Sequence, residues 1–252
     1  MTDPLVQYSA DRGIARIALD SPRNRNALSA ALMTQFGQAL ASAAADPAVR
    51  AVELTHTGST FCAGADLAEA REHGMASGTA RLMGLLRQII ELPKPVVASI
   101  DGHVRAGGLG LVGACDIAVA GPASTFAFSE VKLALAPAII SLTTLPRLTP
   151  RAAGRYYLTG ETFGPAAAAA MGLITDAVDD IDAGTTTVLD ALRAAAPQGL
   201  AETKPLLTAS IRARFDEFGD ELVAQSARLF ASADAAEGMA AFLARRPPSW
   251  AS

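Results

Sequence analysis

Two short turns without bulky side chains constrain this chain most. Each follows an apolar, strand-like run and opens a helix-like segment. The first is Thr60-Phe61-Cys62-Ala63-Gly64-Ala65-Asp66, after Ala51–His56, and the second is Arg105-Ala106-Gly107-Gly108-Leu109-Gly110, after Pro95–Ile100. Small residues at such a junction let a ligand approach the backbone and leave amide N–H groups free at the helix start. Two such amides aimed at one point stabilise a developing oxyanion. One turn of this kind says little; the pair, with Glu130 downstream, defines a candidate catalytic centre.

Around these turns, strand and helix signals alternate. Leu5–Ala10 and Gly13–Asp20 read as a hairpin turned at Asp11-Arg12-Gly13, and Pro22–Asn26 as a polar loop. Ser29 is placed to cap a long Ala-rich helix through Ala45, which Asp46-Pro47 ends, and Val49–Thr55 reads as a buried strand. Gly74, Ser77 and Gly78 mark Leu67–Thr79 as a mobile loop, followed by a helix over Ala80–Leu92. The second turn opens a helix over Leu109–Cys115, and Asp116–Ala120 and Thr125–Phe128 read as strands. Beyond Pro146 the pattern is helical, with breaks at Gly160–Pro165, Gly184 and Pro197. The alternation predicts α/β layering rather than a helical bundle. In the tail, Leu206, Leu207, Ile211, Phe215, Phe218 and Leu222 form a stripe at helical spacing, a packing face for the core or a neighbouring subunit.

Composition narrows the function classes. A chain of 252 residues, half of them hydrophobic, accommodates one α/β domain with a sizeable core. A net charge of −4 gives no support for nucleic-acid binding, and no run approaches the ~20 apolar residues that span a bilayer. The start Met1-Thr2-Asp3-Pro4 has neither the basic flank nor the apolar stretch of a signal peptide. Cys62 and Cys115 have no metal-ligand spacing to any His. The expectation is a cytoplasmic protein with reduced thiols and no metal site.

The sequence resembles the crotonase (enoyl-CoA hydratase/isomerase) superfamily over essentially its whole length. The resemblance is carried by Arg25-Asn26-Ala27-Leu28, the turn Phe61–Leu67 and the block Asp101–Ala120. It continues through Phe126–Ala138, Tyr157-Leu158-Thr159-Gly160 and Ala169–Ile174. It implies a ClpP-like α/β spiral of repeated ββα units over residues 1–196, and a C-terminal helical trimerisation segment over 197–252. It further implies an acyl-CoA thioester substrate, no cofactor beyond the CoA of that substrate, and a homotrimer or dimer of trimers. The backbone amides of Ala65 and Gly107 would hold the thioester oxygen, with Glu130 as acid–base group. Arg25, Ala27, Leu28, Ala63, Asp66, Leu67 and Gly108 would contact the CoA side of the substrate. The acyl pocket would be lined from Leu67–Met83 and Ala136–Leu142.

Family hydratases usually place a second glutamate where this chain has Gly110. Hydration needs a base to activate water and an acid to protonate Cα, and one carboxylate that reaches both serves for syn addition. Isomerisation of a 3-enoyl thioester needs a single base. The runs 107–112, 129–133 and 135–141 resemble a bacterial hydratase branch related to methylglutaconyl-CoA-type hydratases, which commonly carries that glycine. The reading is therefore an enoyl-CoA hydratase. The alternatives are a Δ3,Δ2-enoyl-CoA isomerase and an acyl-CoA-binding protein that has lost its chemistry, and a Gly110→Glu change would test whether hydration can be recovered.

Other residues have plainer readings. Asp66 is placed to cap the following helix, Cys62 is a packed thiol, and Lys204 is structural. Glu130 read on spacing alone would be a surface carboxylate paired with Lys132 or an arginine. Arg105, beside His103, is a candidate for a CoA phosphate, an acidic acyl tail or an interface ion pair.

Overall fold

The computed structural model describes residues 4–73 and 76–251. Its strands are β1 (Val6–Asp11), β2 (Ile14–Leu19), β3 (Ala51–His56), β4 (Thr60–Cys62), β5 (Val96–Ile100), β6 (His103–Arg105), β7 (Ile117–Ala120), β8 (Thr125–Ala127) and β9 (Asp176–Ala177). The first helices are α1 (Ala30–Ala45), α2 (Leu67–His73), α3 (Ala76–Glu91), α4 (Gly107–Ala114) and α5 (Ser141–Thr144). They are followed by α6 (Pro150–Thr159), α7 (Pro165–Ala170), α8 (Ile181–Ala194), α9 (Pro197–Phe230) and α10 (Ala233–Leu243).

The hairpin closes through Arg12 and Gly13, both at positive φ, the geometry that matches the twist of a two-residue antiparallel turn. From β2 onward the pairing is parallel, in the order β1-β2-β3-β5-β7-β9. A smaller parallel sheet runs β4-β6-β8. After the β1–β2 hairpin and α1, each turn of the chain through β8 gives one strand to the large sheet and the next, short strand to the small one, then passes into helical structure. This is the expected ββα spiral. Its consequence is that β4 and β6 end side by side, so the turns that follow them are neighbours in space.

The core is one large cluster, with a second, smaller one of Ile14, Ala51, Val97 and Leu189. In the large cluster, Leu32, Met33, Phe36 and Leu40 of α1 pack with Ile17 and Leu19 of β2, Leu86 and Ile89 of α3, and Phe126 and Phe128. Ser29 caps α1 as predicted, its Oγ accepting the Leu32 N–H at 3.2 Å. Ile211 and Phe215 of α9 join the same core.

Several expectations need correction. The loop expected across 67–79 is helical at Leu67–His73 and again from Ala76, while Gly74 lies outside the described residues. The Asp66 carboxylate accepts the Ala68 and Glu69 N–H groups at 3.1 Å, which starts α2 directly after the first turn. Gly184 does not break a helix but lies inside α8, where a Cβ would meet Val178 Cγ1 at 2.9 Å. β7 begins at Ile117, because the Asp116 carboxylate accepts the Val96 N–H at 2.8 Å and faces Lys204. The tail stripe divides: Ile211 and Phe215 are buried, Phe218 and Leu222 pack against the core, and Leu206 and Leu207 are 78% and 66% exposed. The buried register of α9 runs through polar Lys204 and Thr208, which hydropathy does not reveal.

Lys204 explains that register. Its ammonium lies 2.8 Å from Asp116 Oδ2 and donates to the carbonyls of Ile89 at 2.8 Å and Lys94 at 3.0 Å. It ties α9 to the end of α3, to the strand entry after it and to the start of β7. Burial pulls the lysine pKa down, and Asp116 opposes that shift. Removing one partner of a buried pair leaves an uncompensated charge. Lys204→Met is expected to cost about 3–5 kcal/mol, read from urea denaturation of the full chain.

Candidate active site

The first turn leaves β4 at Cys62 and is fixed by the loop before α1. Ala63 N–H donates to the Arg25 carbonyl at 3.1 Å, and Leu28 N–H donates to the Gly64 carbonyl at 2.8 Å. The N–H and C=O of one trans peptide point in opposite directions. Anchoring the Gly64 carbonyl on Leu28 therefore turns the Ala65 N–H the other way. Gly64 has φ +88°, which a side chain resists, and a Cβ there would lie 2.8 Å from Ala106 Cβ. The loop holding this turn is clamped by Asn26, fully buried, whose Oδ1 accepts the Ser21 N–H at 2.7 Å. Its Nδ2 donates to the carbonyls of Thr57 at 3.1 Å and Thr60 at 2.7 Å.

The second turn leaves β6. Ala106 donates its N–H to the Ala127 carbonyl at 3.2 Å and adopts φ 46°, ψ −119° before α4 starts at Gly107. Positive φ at a residue with a Cβ costs of order 1–3 kcal/mol and persists only where its surroundings hold it. Here it directs the Gly107 N–H out of the helix end, where the dipole favours negative charge. Among the described residues neither the Ala65 nor the Gly107 N–H has a hydrogen-bond acceptor. The Cβ that Gly64 lacks would stand 3.4 Å from the Gly107 nitrogen, so the two turns are in contact.

Glu130 sits in a 3-10 turn, Ser129–Leu133, directly after β8. Its Oε2 is buried without a hydrogen-bond partner, and among the described residues it forms no ion pair. Lys132 does not pair with it, which removes the surface-carboxylate reading. Desolvation raises its pKa to about 7, offset in part by its own backbone N–H. The Phe128 ring packs on Tyr157 at 4.3 Å between centroids, and the Tyr157 hydroxyl bonds Thr144 Oγ1. Burial raises the Tyr157 pKa, and the Glu130 charge adds to that rise.

These groups face one cleft of about 420 Å³. Of the predicted residues, Arg25, Leu28, Ala63, Ala65, Asp66, Leu67, Gly107 and Glu130 line it. Ala27 and Gly108 do not: Ala27 is buried behind the loop, and a Cβ on Gly108 would lie 2.8 Å from Cys62 Cβ, inside the packing of α4 on β4. Burial pushes the Cys62 thiol up to about 12, consistent with an inert, packed side chain. The acids Asp66 and Glu69 serve as caps, Glu69 accepting the Ala30 N–H at 2.9 Å. By contrast Arg25, Arg81, Arg105 and Lys132 border the cleft with no carboxylate in ion-pair range among the described residues. Arg105 is spent largely on Thr125, donating to its carbonyl at 2.7 Å and its Oγ1 at 2.9 Å. Sequence reasoning missed Ser226, Phe230 and Phe242 of the C-terminal helices, which reach the cleft by tertiary packing alone. Asn26, part of the block that carries the family resemblance, does not line the cleft but clamps the loop beside it.

Gly110 is not a vacant position. A Cβ there would stand 2.5 Å from Ile140 Cγ2 and 3.3 Å from Leu86 Cδ1. The space a second carboxylate would enter is filled by hydrocarbon.

An α/β spiral that brings two acceptor-free amides and one unpaired carboxylate into an apolar cleft is the architecture of the crotonase class. The chain belongs to the enoyl-CoA hydratase/isomerase family, whose model matches residues 9–252. An enoyl-CoA hydratase from Mycobacterium avium, known as a crystal structure, is 52% identical, with a TM-score of 0.93 over 99% of this chain and 100% of that one. Enoyl-CoA hydratase ACTT6 of Alternaria alternata is 34% identical over 91% of this chain and 78% of its own length. The peroxisomal Δ(3,5)-Δ(2,4)-dienoyl-CoA isomerase of Arabidopsis thaliana is 26% identical, covering 98% of this chain and 96% of that protein.

Two measurements test this geometry. Gly110→Glu on its own is expected to lower stability by about 3 kcal/mol or more, because it overpacks Ile140 and buries a carboxylate. It should not raise any hydration rate. Glu130 has a folded-state pKa above its ordinary value, so its stabilising contribution is complete below about 4.5 and is lost as pH rises through about 7. Glu130→Gln should therefore gain stability relative to wild type between pH 5 and pH 8, read as the shift in denaturation midpoint.

Proposed function

We infer that the protein is an enoyl-CoA hydratase that adds water across the 2,3 double bond of a 2-enoyl-CoA thioester. The observation that carries this reading is the meeting of the Ala65 and Gly107 amides with an unpaired Glu130 in one apolar cleft. The thioester oxygen would lie between the two N–H groups, whose dipoles are already oriented when charge develops on it. Glu130, as carboxylate, takes a proton from water while the oxygen bonds C3 and the π electrons move to the thioester oxygen. The neutral acid then returns that proton to C2 as the enolate collapses, leaving the carboxylate free. A group titrating near pH 7 suits both halves of the cycle. The unpaired Arg25, Arg81 and Lys132 at the rim complement the phosphates of CoA. No metal or separate cofactor enters this scheme.

One observation favours a second reading. With hydrocarbon at Gly110, Glu130 is, among the described residues, the only carboxylate lining the cleft that is not engaged as a cap, which also meets the needs of a Δ3,Δ2-enoyl-CoA isomerase. The protein is further read as a homotrimer or dimer of trimers, supported by outward-facing Leu206 and Leu207 on α9 and Leu158 on α6. Its two free, buried cysteines suit the reducing cytoplasm. Gly110 and the run 135–141 support kinship with the methylglutaconyl-CoA-type branch.

Crotonyl-CoA hydration, followed as loss of the conjugated-thioester absorbance, tests the assignment. Glu130→Gln should lower kcat by about 10²–10⁴-fold. The rate kcat/KM of wild type should fall on the acid side with a limb near pH 7, as Glu130 becomes protonated in the free enzyme. Formation of a conjugated product from 3-enoyl-CoA, with no hydration of crotonyl-CoA, would replace the hydratase by the isomerase.

A further inference from the structure

Ile140 caps α5 and has two neighbourhoods. On one side it lines the cleft; on the other it lies in the notch over α4 that Gly110 leaves open. A Cβ on Gly110 would be 2.5 Å from its Cγ2 and 3.0 Å from its Cβ, both inside contact distance. Ile140 cannot withdraw from this notch. Thr143 Oγ1 donates to the Gly110 carbonyl at 2.9 Å, and the Ile140 carbonyl accepts Thr144 N–H at 2.9 Å and Thr144 Oγ1 at 2.6 Å. One turn further along α4, a Cβ on Gly113 would stand 2.8 Å from the Thr143 carbonyl oxygen, so the two helices touch through their backbones. The same Thr144 hydroxyl meets Tyr157, whose ring packs on Phe128, two residues before Glu130.

We propose that Ile140, seated in the Gly110 notch, is the specificity-determining wall of the acyl pocket: it limits the length of an apolar acyl chain and excludes a polar one. The position is rigid because backbone contacts fix it from behind, and it presents only hydrocarbon to the cleft. A chain that grows toward Ile140 meets a side chain already seated against Gly110 of α4. Removing its outer carbons opens space for a longer chain. This inference rests on the hydratase reading for the identity of the ligand, but its test does not require turnover.

Binding of butyryl-, hexanoyl- and octanoyl-CoA is measured by calorimetry for wild type, Ile140→Val and Ile140→Ala. These saturated thioesters are not hydrated, so affinity is read apart from catalysis. The ratio of octanoyl to butyryl affinity should rise about tenfold in Ile140→Ala, with Ile140→Val between it and wild type. If all three proteins bind acyl-CoA with an unchanged ratio, the inference is wrong and the hydratase reading stands. If wild type binds none of the thioesters, the ligand assignment itself fails and this inference falls with it. Should Ile140→Ala not fold, Ile140→Val decides by the direction of its ratio. A ligand-free check uses Gly110→Ala, which should destabilise wild type and be better tolerated beside Ile140→Ala. Equal costs in both backgrounds would show that the notch is not shared.

Discussion

The contact between two backbone turns is what the rest of this molecule is arranged around. Gly64 must be glycine, both for its positive φ and because Ala106 occupies the place of its Cβ. Ala106 in turn holds a disfavoured backbone conformation immediately before the Gly107 amide. Such an arrangement leaves two N–H groups without acceptors, which is unfavourable in isolation. It is retained because neighbouring structure over-determines it. β6 pairs with β4 and β8 on either side, and Asn26 fixes the loop whose backbone bonds orient the first turn.

The electrostatics of the cleft follow from how its acids are employed. Asp66 and Glu69 are held in place by starting α2 and α1, their oxygens fixed on backbone N–H groups. Glu130 has no such partner and is surrounded by apolar and aromatic side chains, which is why desolvation dominates its titration. Arg25, Arg81 and Lys132 at the rim form no ion pair among the described residues. The cleft thus combines an anion-attracting mouth with an interior that resists a fixed negative charge, and both features favour a substrate whose anionic handle stays outside while its reacting carbonyl lies within.

Distant packing completes the cleft. The buried Lys204–Asp116 pair ties the start of α9 to the β-sheet side of the core, and α9 then runs along α3. Near its far end it carries Ser226 and Phe230 to the cleft, and α10 adds Phe242. α10 also packs on the turn bearing Glu130, where a Cβ on Gly238 would meet the Leu133 backbone at 2.8 Å. Glu130 is thereby positioned from both the spiral and the tail.

Much of this was legible in the amino-acid order, because it depends on local rules. The hairpin at Arg12-Gly13, the Ser29 cap, the alternation of strands and helices and both small-residue turns are set by residues close in sequence. Asp66 as a cap was also legible. The segment after it was misread as a loop because its glycines outweighed that cap. Other features depend on which residues the fold brings together across long separations. Ile140 filling the notch at Gly110, Lys204 buried against Asp116, and the C-terminal side chains at the cleft have no local signature. Glu130 was singled out by its place after the two turns and by the family resemblance; spacing alone left a surface carboxylate equally open, and its desolvated, unpartnered state is a tertiary fact. Sequence by itself determined the α/β alternation and the backbone turns, since propensity and chain stereochemistry act over a few residues, while the spiral was implied by the family resemblance. Tertiary structure alone decided which carboxylate stands unpaired and which wall is hydrocarbon, since burial and close packing exist only once distant segments meet.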